Sequence, residues 1–158
     1  MADDGTGEGA GDLTAENDAL GLALAAEHAA VWGYGVVGAA LPAADQGAAT
    51  GAEAAHRDVR DAVITLLSER SVEPAAAQGG YALPFPVLSA VDAAALAVVL
   101  EDGSATAWVR VLDQAAGRST RELALGALTA AEVRAVGWRT SAGQTPVTTA
   151  LPGLPPQD

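Results

Sequence analysis

From about Leu13 to Leu41 apolar residues recur at intervals of three and four, and the run stops at Leu41-Pro42, where proline cannot continue a helical turn. A second run from about Gly51 to Ser71 places Val59, Ala62, Val63, Leu66 and Leu67 on one face. Ser89-x-x-Asp92 reads as a capping-box-like start for a third helix to about Ala116. Ser119-x-x-Glu122 reads as a capping box for a fourth, to about Thr140. The loops between helices one and two and between three and four are short, which makes antiparallel hairpins. Some seventeen residues, SVEPAAAQGGYALPFPV, join the second helix to the third. Extended at about 3.3 Å per residue, they can run the length of a bundle. The pattern predicts an all-α, ferritin-like four-helix bundle over residues 13–140, with two hairpins joined by a long crossover. It also predicts a disordered acidic tail over 1–12 and an extended C-terminal strap over 141–158.

Composition supports helices and removes several chemistries. Ala, Leu and Val dominate, and aromatics are only 4% of the chain. The net charge is −12, with arginine as the only strong base, so no basic stripe is present to meet phosphates and nucleic acid is not expected as a partner. The absence of cysteine excludes disulfides, thiolate metal sites and thiol catalysis. The start MADDGTGEGAGD lacks the basic and apolar regions of a secretory signal. Apolar runs such as VDAAALAVVL end at Glu101 and Asp102, short of membrane-spanning length, so a soluble, cytoplasmic protein is expected.

Against this background two carboxylates stand out. At about 100° per residue, Leu20, Leu24, Ala30, Val31, Tyr34 and Leu41 all fall near Glu27, and Ala94, Ala97, Val98, Ala105, Trp108 and Leu112 near Glu101. An unpaired, ionised carboxylate at the centre of an apolar face costs several kcal/mol, so each needs a proton, hydrogen-bonded cations or a metal. On the second helix, Glu53-x-x-His56 puts a carboxylate and an imidazole one turn apart, with His56 facing inward and Glu53 on the rim beside Arg57. Glu132 lies at the edge of the fourth helix's stripe. His28 reads as a surface or edge residue, and the tryptophans as packing. Arg60 and Arg139 are placed to reach an inward glutamate. The hairpins also resemble each other. Glu27 is followed at +7 by Tyr34 and Glu101 by Trp108, while Glu53 is followed at +7 by Arg60 and Glu132 by Arg139. The second hairpin has Ala135 where the first has His56.

The segments AAEHAAVWGYGVVGA (25–39), HRDVRD (56–61), YALPFPV (81–87), LEDGSATAW (100–108) and LPGLP (151–155) resemble the DUF4439 family of actinobacterial ferritin-like proteins. The resemblance implies a ferritin-like bundle and brings no established activity. In ferritins with a ferroxidase centre the pattern is Glu, Tyr seven later, Glu-x-x-His, and Glu on the third helix. Glu27, Tyr34, Glu53, His56 and Glu101 match it, although Glu53 lies several ångströms out of level at about 1.5 Å per residue.

Two functional readings follow. In the first, Glu27, His56 and Glu101, with Glu53 or Glu132, bind iron or manganese and support an oxidoreductase. In the second, favoured because Ala135 removes a ligand and Glu53 faces the rim, no metal is bound. The same residues then form a buried network with Tyr34, Arg60 and Arg139 in a structural or interaction module, expected to be a homodimer.

Overall fold

The computed structural model describes residues 6–155, with side chains from residue 13 onward. It contains four helices and no strand among those residues: α1 (Thr6–Ala40), α2 (Gln46–Glu69), α3 (Ala90–Gln114) and α4 (Arg118–Ser141). The chain is thus all-α, with four helices packed as a bundle. α1 packs against α2 and α3, and α3 packs against α4.

Helix boundaries follow local chemistry in some places and tertiary contacts in others. α1 ends one residue before Leu41-Pro42, as the proline requires. Its start at Thr6 lies inside the segment expected to be a disordered tail, of which residues 1–5 fall outside the described residues. Once a helix is nucleated each further turn adds hydrogen bonds cheaply, so the ladder propagates back past Leu13 despite the glycines. At α3 the Ser89 hydroxyl accepts from the Asp92 amide at 3.1 Å, and the Asp92 carboxylate accepts from the amide of Leu88, just before the cap, so the capping-box-like start forms. The one expected at Ser119 does not. α4 starts at Arg118 with Gly117 as its cap, and Glu122 is drawn to the Arg118 guanidinium at 2.7 Å.

The core has two apolar clusters. One gathers Tyr34, Val37, Leu41, Ala49, Ala52, Leu96, Val98 and Trp138. The other gathers Leu20, Leu24, Val63, Leu67, Trp108, Val111, Ala124 and Ala127. Along each helix a polar residue separates the two: Glu27 between Leu24 and Tyr34, His56 between Ala52 and Val63, Glu101 between Val98 and Trp108, and Arg134 between Ala127 and Trp138. Alanines and glycines at the contacts let backbones approach; a Cβ on Gly33 would come within 2.7 Å of Leu100.

The connection 70–89 lies against α1. His28, expected as a surface or edge residue, is buried, because the connection covers it and its Nε2 meets the Ala75 carbonyl at 3.0 Å. Tyr81 stacks at a tilt on Trp32, and Phe85 and Val87 pack on the cluster around Tyr34 and Leu41. Leu13–Ala40 is long and apolar enough to cross a bilayer by length and composition, which differs from the expectation that no such stretch exists. Half of that window is buried inside the bundle.

Candidate functional site

Glu27, His56 and Glu101, singled out by their helical faces, meet at the polar level between the two clusters, and all three are fully buried. His56 bridges the two carboxylates: Nδ1 lies 2.6 Å from Glu27 Oε2 and Nε2 lies 3.3 Å from Glu101 Oε1. Glu27 Oε1 also accepts from the Ser104 hydroxyl and the Trp108 indole N–H, each at 2.8 Å. The indole is an obligate donor, so Glu27 Oε1 is held as an acceptor. Tyr34 donates its hydroxyl to Glu101 Oε1 and stacks on the His56 ring at 5.4 Å between centroids.

The aromatic residues found at +7 in each hairpin are thus exchanged between helices. Tyr34 of α1 donates to Glu101 of α3, and Trp108 of α3 donates to Glu27 of α1. Trp108 is therefore both packing and a hydrogen-bond donor, a role its place in an apolar stripe does not reveal.

The partner that neutralises Glu101 is Arg134, which sequence reasoning missed. Its Nε donates to Glu101 Oε1 at 2.7 Å and its Nη2 to Oε2 at 2.9 Å, a two-pronged ion pair. Nη2 also lies 3.3 Å from His56 Nε2. A signal existed: Ala127, Ala131, Arg134 and Trp138 recur at helical spacing along α4. Arg134 sits one residue before Ala135, the position that pairs with His56 in the repeat.

The two arginines expected at the site lie elsewhere. Arg60 pairs with its neighbour Asp61 at 2.8 Å. It is adjacent in sequence and reaches that carboxylate without entering the core. Arg139 is buried but binds Asp102 and, at 3.4 Å, Glu132; it also donates to the Val147 carbonyl at 3.2 Å. It fastens the strap to α3 and α4, because at one residue past Trp138 it points about 100° away from the inward stripe. Glu53 forms the i,i+4 surface pair with Arg57. Neither Glu53 nor Glu132 joins the central cluster. Among the described residues no group of three or more His, Cys, Asp and Glu side chains is arranged to hold a metal ion.

The electrostatics follow from this packing. Burial disfavours a charged His56, but its hydrogen bonds to Glu101 and Glu27 and their charges outweigh burial and push it up to about 9. Burial would raise Glu101, yet His56 and Arg134 hold it below the usual carboxylate value. Burial and the Glu101 charge drive Tyr34 far above its ordinary value, so it stays a donor. Arg134 is raised as well, burial being overcome by Glu101. With His56 protonated, both of its nitrogens donate, and the Arg134 contact is two donors side by side on the two oxygens of the Glu101 carboxylate rather than a hydrogen bond. Two carboxylates then face two cations. Every buried side-chain nitrogen and oxygen among the described residues has a partner.

A third buried carboxylate, Glu16, escaped sequence reading. Glu16 accepts from Arg70 at 2.6 Å, from the Thr120 hydroxyl, and from the amides of Ala116 and Gly117 at 2.7 and 3.2 Å. Together these hold it below the usual carboxylate value even though burial alone would raise it.

The described residues of the bundle are similar to the crystal structure of a conserved hypothetical protein from Mycobacterium tuberculosis, with TM-score 0.78 and 44% identity. The match covers 80% of this chain and 96% of that one. A comparison with curated proteins gives no match. The family model DUF4439, a domain of unknown function, matches residues 19–156, which hold the whole polar level and all of both hairpins but the start of α1, and the chain belongs to that family.

Proposed function

We propose that this protein is a ferritin-like bundle, with α2 and α3 joined by a crossover along α1, in which a protein-borne ion network stands where a metal centre would lie. It acts as a structural or interaction module. The observation that carries the reading is the Arg134 guanidinium bonded to both oxygens of Glu101 and lying beside His56. A divalent cation there would have to displace that guanidinium and deprotonate an imidazole held charged to about 9. It would also compete with the Ser104 and Trp108 donors on Glu27. The residues present therefore fit a metal poorly. A cytoplasmic homodimer that binds neither nucleic acid nor membrane belongs to the same proposal.

The test is metal analysis of protein purified without chelator, then reconstituted anaerobically with ferrous iron or manganese. Less than a tenth of an equivalent per chain is expected. Stoichiometric metal that is lost in a Glu27→Ala, Glu101→Ala double variant would overturn the reading in favour of an iron- or manganese-binding protein with oxidoreductase chemistry.

A further inference from the structure

Charge is distributed unevenly over this surface. Between Asp18 and Asp45 the only ionisable groups on α1 besides Tyr34 are Glu27 and His28, and both are buried, so more than five turns of helix present no charge to solvent. α3 between Asp92 and Arg110 carries only Glu101, which points into the core, and Asp102, which is half-exposed but paired with Arg139 on the side of the strap. The seam of α1 and α3 is roofed by the connection 70–89, leaving an apolar groove of about 310 Å³ lined by Trp32, Tyr81, Leu83, Pro84, Leu96 and Val99. Its rim is open: Leu83 is 39% and Val99 44% exposed, and further along the seam Leu22 is 50% exposed. α2 and α4 by contrast carry Glu53, Arg57, Asp58, Asp61, Arg118 and Glu122 outward.

We infer that the uncharged α1–α3 seam is the face by which two copies of this chain associate. The inference rests on the interaction reading above and names its partner. Two copies each carrying a net charge of −12 repel wherever acidic surfaces meet, and the seam is a grooved, aromatic-lined face they can share without bringing carboxylates together. A basic partner would be drawn to the acidic faces instead. A bilayer is a poorer occupant, because a single cation, Arg110, flanks the apolar stretch and Asp113 lies beside it, too little positive charge to hold anionic headgroups. Tyr81 and Trp32, rigid and partly buried, are suited to anchor such a contact, and the small residues Gly21, Ala25 and Ala29 let helices approach.

The experiment is light scattering coupled to size exclusion on the full chain, with Leu83→Glu, Val99→Glu and the double variant. Val133→Glu serves as control, a more exposed apolar residue on α4 away from the seam. The wild type and the control are expected at twice the 15.6 kDa chain mass, with the double variant at one chain and unchanged helical circular dichroism. A monomeric wild type, or a double variant that remains dimeric, would overturn the inference. Neither result alters metal content, so failure here is distinguishable from failure of the metal-free reading.

Discussion

Arg134 carries the residue-scale argument. It enters the core from the rim, with its side chain 22% exposed, and truncation would leave Glu101 buried beside a single cation. Arg134→Ala is expected to cost roughly 3 kcal/mol, read as a lower urea midpoint at unchanged slope. A loss under about 0.5 kcal/mol, the range of an ordinary surface substitution, would show that the pair does not neutralise Glu101. Tyr34→Phe and Trp108→Phe each remove one donor to a buried carboxylate, and about 1–3 kcal/mol is expected for each. If the two donors belong to one network, the double variant departs from additivity by at least about 0.5 kcal/mol; strictly additive losses would show two separate sites. The carboxylates and His56 were legible because an inward polar group breaks an apolar stripe. Arg134 was not, since a long flexible side chain on such a stripe more often snorkels to water, and only the position of Glu101 makes it turn inward.

At the scale of elements, periodicity located all four helices, and proline and the Ser89 cap located two of their ends. The start of α4 was misread because its turn is organised from a distance. Glu16 on α1 receives the Ala116 and Gly117 amides, so a carboxylate 101 residues from the cap Gly117 takes the part that Glu122 was expected to play. No local motif encodes that contact. Glu16 also takes Arg70 from the end of α2, tying three helices at one end of the bundle. Glu16→Gln keeps the size but not the charge, and we expect it to destabilise by about 1–3 kcal/mol. It should also speed amide exchange at Ala116 and Gly117 relative to the centre of α3. Unchanged exchange there would mean the turn holds itself.

For the whole molecule, the arrangement implies a stability maximum displaced toward mild acid. His56 is raised from 6.5 to about 9 on folding, so its contribution is complete below about 6.5 and lost as pH rises through 9. Glu101 and Glu16 are lowered, so theirs is complete above the ordinary carboxylate value of 4.5 and lost as pH falls through their folded-state values. Stability should therefore be greatest between about 5 and 6.5 and fall by on the order of 3 kcal/mol toward pH 9, since each pKa unit is about 1.4 kcal/mol. Self-repulsion of a chain at −12 adds a shallower decline in the same direction, which salt screens, whereas the buried His56 term is screened much less. Urea midpoints at pH 6 and 9, in low and high salt, separate the two. A decline abolished by salt would assign the whole effect to surface charge. A decline that persists in salt, together with a His56 ring titrating near 9 by NMR, with a His28→Gln variant assigning the signal, places it in the buried network.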